Sequence, residues 1–248
     1  MFLPKLASDL EVLKEIDVIR STTSKKDPKV RRSELIKALS PELIAGIGAA
    51  ASQLAQTLFG CQFIAEVIFG AEGPELDKSS ALKAIASTAS GDPTVLPVLN
   101  EVGETTVPGH LANSSAYGKM MKSLVLGGRY SFAEKKLIPV VPALNFADIL
   151  WPVIKDEIVN WATGASSFVV LALLETEMFE KKKELTDALR KHKKELVKAS
   201  TEETAPQKAQ RESAGADGKV VKNKKKKKVV DKKPIVGNAG TRMILEKL

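Results

Sequence analysis

Apolar residues recur along this chain at spacings of three and four, and no alternating β-branched run bounded by a tight hairpin signal interrupts them. That period restricts the chain to helices packed on helices. Leu10, Leu13, Ile16 and Val18 are set among charges in 9–20, and Leu35, Ile36, Leu39, Leu43, Ile44 and Ile47 form a similar stripe in 33–47. Asp27-Pro28 and Ser40-Pro41-Glu42 read as helix starts, because a polar cap followed by proline suits the first turn, where the missing N–H costs nothing. Asn145-Phe146-Ala147-Asp148 opens another helix, carried on by Ile149, Leu150, Val153, Ile154 and Ile158. The expectation is an all-α fold without strands.

Four segments share a small residue followed by an apolar helix, beginning at Gly60, Tyr117-Gly118, Ser166-Ser167 and Gly240. One helical unit repeated in a row means an irregular α-solenoid. Loops are expected at 70–79, 90–109 and 127–143, and one charged helix over 175–198. The segment 199–239 is rich in Lys, Ala, Glu, Gln and Gly and lacks aromatics, so it is expected to be a disordered basic linker. The chain then divides into a helical repeat region over 1–198, the linker, and a C-terminal helix at 240–248. A helix that short is marginal alone in water, so it should dock back on the solenoid end.

Charge sharpens this division. The net charge of +8 over 248 residues splits into −4 for 1–180 and +12 for 181–248. A near-neutral body with a cationic tail points to a polyanionic partner, a nuclear address, or both. One cysteine, Cys61, excludes a disulfide framework and a cysteine-based zinc site, and the two histidines, His110 and His192, leave little for a metal centre or proton relay. Cys61 lies in an apolar helix and reads as an inert buried thiol, His110 as an exposed loop residue, and Trp151 and Trp161 as core anchors. No phosphate-binding glycine loop and no metal-spaced cluster occurs, so neither an enzyme nor a cofactor is expected. No membrane partner is expected: the most apolar stretch, 158–174, carries Asn160, Thr163, Gly164, Ser166 and Ser167 and reads as two helices. No secretory signal is expected, since acids appear by position 9 and no apolar run precedes them.

Several of these stretches carry a family resemblance: 24–32 (SKKDPKVRR), 59–67 (FGCQFIAEV), 145–152 (NFADILWP) and 237–240 (GNAG). They resemble the CPL (penguin-like) C-terminal region of the penguin/Puf-A branch of the Pumilio family. The resemblance implies a stack of three-helix Pumilio repeats that binds RNA or DNA with little sequence preference. It also implies a nucleolar place in large-subunit ribosome biogenesis and translational control. Further repeats upstream are implied as well, so the chain is expected to begin within a longer array, with an unmatched apolar face near 9–20. Base-reading Pumilio repeats use two edge-reading side chains about four apart, with a stacking side chain between. The matching pairs are Cys61 with Ala65, Gly118 with Lys122, Ser167 with Leu171 and Thr241 with Leu245, and the stacking positions fall on Gln62, Lys119, Phe168 and Arg242. Ala and Leu cannot hydrogen-bond a base, so the code is missing from at least three of the four.

The candidate nucleic-acid contacts are therefore cationic. Lys222, Lys224, Lys225, Lys226, Lys227 and Lys228 form the densest run and read as a phosphate-binding arm and nuclear address. Lys25, Lys26, Lys29, Arg31 and Arg32 cluster at a helix start, where backbone amides could add to the grip, or where Asp27 could take them instead. Lys119, Lys122 and Arg129 form a third patch, on the concave face if the repeats align. The expected partners are RNA, as precursor ribosomal RNA or mRNA, with DNA and ribosome-assembly proteins as further candidates. The rival reading is a protein–protein scaffold that touches RNA only through its tail.

Overall fold

The computed structural model describes residues 26–73, 76–100, 105–131, 134–202 and 237–248. Its helices are α1 (Pro28–Leu54), α2 (Leu58–Gly70), α3 (Ser79–Ser87), α4 (Ser115–Leu126), α5 (Phe146–Ile154), α6 (Ile158–Thr163), α7 (Ser167–Glu175), α8 (Lys182–Lys191), α9 (Lys193–Thr201) and α10 (Ala239–Lys247). The first helix starts where the cap and proline place it. Asp27 accepts hydrogen bonds from the amides of Lys29 (2.8 Å) and Val30 (3.3 Å).

Three expectations about local structure are corrected. No helix restarts at Ser40-Pro41: α1 runs through the proline, and its break in geometry comes at Ala50 (φ −119°, ψ 17°). The Ser40 hydroxyl donates to Ile36 O (2.7 Å) and accepts the Glu72 amide (3.0 Å), so a tertiary contact holds the helix across the proline. The charged stretch 175–198 is not one helix either. It breaks at His192 into α8 and α9, which bury Leu185, Leu189 and Leu196. Strands are present as well. Residues β1 (Val98–Leu99) and β2 (Thr105–Val107) pair antiparallel, as do β3 (Gly128–Ser131) and β4 (Lys136–Pro139) in register Gly128↔Pro139 to Ser131↔Lys136. Ribbons of two to four residues are too short to show alternation. Gly127 (φ +65°) ends α4 in the left-handed region and hands the chain to β3.

The stretch 158–174 forms two helices, with a 115° bend between Phe146–Thr163 and Ser167–Glu175. Among the described residues α1 is long and apolar enough to span a bilayer. One side of it is covered, with Ile44, Ile47 and Ala51 buried where it packs on α2 and α3, while Leu35 and Leu39 are exposed.

The core runs the length of the stack, from Ile47, Ile64 and Ile85 through Tyr117, Met121 and Leu150 to Trp161, Leu171 and Ile244. Trp151 meets Phe179 edge-on at 5.8 Å. His110 is not simply exposed. It is half-buried, caps the turn at Leu111–Asn113 by accepting the Ala112 amide, and stands edge-on to Trp161 at 5.8 Å.

α10 closes the far end against α6, α7 and α9. α9 continues to Thr201, Gly237 and Asn238 lie against its end, and 203–236 of the expected linker fall outside the described residues. The two edges of that excursion lie together: the Asn238 amide donates to Ala199 O (3.0 Å), and a Cβ on Gly237 (φ +91°) would sit 2.1 Å from Ser200 O.

Candidate nucleic-acid interface

The four repeat segments become α2, α4, α7 and α10, and these helices lie side by side in one row, each packed on the next. Small residues bring the row together. A Cβ on Gly60 would lie 1.9 Å from Leu54 O, one on Gly118 2.9 Å from Ser166 Oγ, and one on Gly240 2.2 Å from Ser167 Oγ. At Gly118 and Gly240 the small residue is thus a steric requirement of close approach within the row, and at Gly60 of the turn that leads from α1 into α2.

The same close approach disposes of the base-reading positions. Cys61, Ser167 and Thr241 are 2%, 1% and 0% exposed. Their donors are spent inside the protein: Cys61 Sγ on Ala55 O (3.3 Å), Ser167 Oγ on Asn238 Oδ1 (2.8 Å) and Thr241 Oγ1 on Ala162 O (2.7 Å). Leu171 is buried, and Ala65 and Leu245 are half-buried apolar residues. Of the second edge positions, Lys122 alone carries a polar head, and its ammonium lies 5.2 Å from the Phe168 ring centroid. Burial also pushes the Cys61 thiol above its ordinary range, which removes the thiolate a nucleophile needs.

The stacking positions point the other way. Gln62, Lys119 and Phe168 are exposed and Arg242 is half-buried, one on each helix of the row. Gln62 and Lys119 line a groove of about 230 Å³ between α2 and α4, with Ser115 and Ser123 on its walls. This surface carries charge, amide and aromatic groups but no fixed pair of edge-directed donors and acceptors. It suits a polyanion with exposed rings better than one particular base.

The other candidate cations are scattered. Asp27 already occupies the α1 amides offered to phosphate, so an amide grip is closed there and only side chains remain. Lys26 is paired with Glu34 at 2.7 Å. Lys29, Arg31 and Arg32 rim an apolar groove of about 570 Å³ floored by Leu35, Leu39 and Leu43. Arg129 pairs with the Glu66 carboxylate and also donates to Glu66 O, so it pins the β3–β4 ribbon to α2. It does not join Lys119 and Lys122 as a free cation. Lys25, Lys222 and Lys224 to Lys228 lie outside the described residues. Lys78, which periodicity does not single out, is held at the end of α2 by Ile68 O (2.8 Å) and Ala71 O (3.0 Å), and burial lowers its pKa.

The motif 237–240 owes its residues to the same row. Asn238 Oδ1 accepts the Gly240 and Thr241 amides, while Nδ2 donates to Thr163 O (2.9 Å) and Gly164 O (2.6 Å). One side chain therefore caps α10 and ties it to the α6–α7 corner.

Comparison with known proteins accords with this architecture. Residues 1–137 match the CPL (NUC119) domain. Pumilio homology domain family member 6 of Schizosaccharomyces pombe is 32% identical over 189 residues, covering 76% of this chain and 27% of that protein. Its namesake in Saccharomyces cerevisiae is 35% identical over 180 residues, covering 67% and 26%. The chain thus spans about a quarter of the length of the curated relatives it matches. The crystal structure of human Puf-A superposes with a TM-score of 0.50 at 23% identity, over 68% of this chain and 30% of that one. The shared feature is the Pumilio-like helical repeat fold.

Proposed function

The chain belongs to the CPL (NUC119) domain family, and from that premise we propose that it is a non-catalytic RNA-binding protein that grips the phosphate backbone with little regard to base sequence. The observation that carries this is the burial of Cys61, Ser167 and Thr241 with their donors already paired, while Gln62, Lys119 and Phe168 are exposed. A repeat whose edge-reading groups are consumed in packing can still offer charge and a stacking face, and both tolerate any base. The setting we propose is the nucleolus, with precursor ribosomal RNA as substrate in ribosome biogenesis and mRNA in translational regulation. Lys222 and Lys224 to Lys228 would serve there as arm and address.

The test is fluorescence anisotropy of the full chain on one RNA and several scrambled versions of it. Affinities should agree within about threefold and fall steeply with added salt. A single motif bound about a hundredfold tighter than its scrambled forms overturns the reading.

A scaffold role has one observation in its favour, the net −4 of residues 1–180. Deleting 203–236 separates the two: residual, salt-sensitive RNA binding supports the row surface, and complete loss supports the scaffold with a basic tail.

A further inference from the structure

Residues 190–194 read Arg-Lys-His-Lys-Lys, and all five are exposed at the corner where α8 gives way to α9. Over 181–202 the chain carries eight Lys or Arg against four Asp or Glu. The acid nearest in sequence makes no ion pair with the lysines of the corner. Glu195 is taken by His192 Nδ1 at 2.9 Å, and the Arg190 guanidinium is committed to Leu248 O through Nε (3.1 Å) and Nη2 (2.7 Å). Among the described residues Lys191, Lys193 and Lys194 have no ion-pair partner. Four cations elsewhere, Lys26, Arg129, Lys136 and Lys247, do each face a carboxylate within salt-bridge distance.

Keeping uncompensated like charges close together costs a protein free energy that dispersing them would avoid. The backbone makes the clustering unavoidable. The change of helix direction at His192 is fixed by Leu189 and Leu196, buried on either side, so the residues between them are turned outward. α8 packs on α6 and α7, and α9 on α6 and α10, which puts the corner beside the end of the repeat row but off its four helices. Arg242 of the row reaches Ser200 O on α9 at 3.5 Å, which links the two regions.

We propose that Lys191, Lys193 and Lys194 form a second phosphate-binding point, one that holds the backbone of a nucleic acid already lying along the row. The inference rests on the RNA-binding reading above and adds a place to it. Lysine ammonium groups are compact point charges without the planar fork of arginine, so the corner contributes affinity and no base preference. Nucleic acid is favoured over an acidic protein because three lysines within four residues, with no apolar pocket among them, match evenly spaced phosphates better than folded carboxylates.

The test compares the full chain with K191E/K193E/K194E and with K119E/K122E, by anisotropy on a labelled 20-base-pair RNA duplex and a labelled single strand across a salt series. Polyglutamate serves as the acidic-protein probe. All five side chains belong to residues at the surface or half-buried, and the neutral K191Q/K193Q/K194Q replaces the reversal if its thermal melt shifts. The corner variant should bind duplex about tenfold or more weakly at 100 mM salt, with the slope of log K against log salt reduced by two to three units. The neutral variant should show a smaller loss in the same direction.

If the wild type binds RNA and the corner variants match it in affinity and slope, the second point does not exist, while the row reading stands. If polyglutamate binds the wild type more tightly than RNA does and the corner variants lose that binding, the occupant is an acidic protein and the proposal fails. If the wild type binds neither RNA, the functional reading itself falls and takes the corner with it.

Discussion

At the C-terminal end of the stack α10 lies across α7 and α9 with Ile244 fully buried, whereas at the N-terminal end Leu35 and Leu39 of α1 are 55% and 54% exposed. The first is finished by a helix of the repeat row, α10, and the second by α1, which is not one of the four repeat helices. The sealed end needs more than an apolar helix. Asn238 satisfies two carbonyls of the α6–α7 corner and two amides of α10 at once, Thr241 answers Ala162 O, and Arg190 with Lys247 tie down the last turn. The other end keeps a groove of about 570 Å³ with a rim of Lys29, Arg31 and Arg32. The lesson is that a solenoid's surface chemistry is set by how each end is finished as much as by the repeats between.

The comparison can be broken hardest at Gly240. Gly240→Val places a branched side chain where even a Cβ would lie 2.2 Å from Ser167 Oγ. It should cost about 3 kcal/mol or more and release α10, read as a lowered denaturation midpoint and lost hydrogen-exchange protection over 239–247. Asn238→Ala should follow at about 2 kcal/mol, since it removes a cap and leaves Thr163 and Gly164 carbonyls unpaired. Exchange protection should fall first in α10 and only later in α4, and uniform loss across the stack would refute the sealing role.

At the open end the effect should nearly vanish. Leu39→Ala removes a side chain that is mostly in water, so its cost should stay below about 0.5 kcal/mol in urea denaturation. Its neighbour one face round, Ile47, is fully buried, and Ile47→Ala should cost about 3 kcal/mol. A large loss at Leu39 would mean that this face is covered in solution. The smallest effect should come from replacing 203–236 by a four-residue Gly/Ser linker. Ala199 and Asn238 already touch, so the melting temperature should hold within about 3 °C.

Much of the site was legible in the residues. The four repeat starts were visible as small residues before apolar runs, and they are the four helices of the row. Periodicity could place Gln62, Lys119, Phe168 and Arg242 as equivalent positions because equivalent helices present equivalent faces. It could not tell which cations were free. Arg129 and Glu66 are 63 residues apart and meet only because the β3–β4 ribbon folds back on α2. The sequence left the α1 amides open either to phosphate or to Asp27, and the folded chain gives them to Asp27. The Arg190–Lys194 run was plain in the sequence as part of one charged helix, but its place at a corner was not, because the break at His192 carries no Pro or Gly to announce it.

What the residues determine alone is the helical class and the repeat, because each depends on side-chain type at a local spacing. The lack of base-reading groups at three of four second edge positions follows once the family resemblance says where those positions fall. What only the folded chain decides is which side of each helix meets water and which charges meet each other. Those depend on contacts between residues tens of positions apart, as when Asn238 reaches Thr163, and no local pattern encodes a distance across the stack.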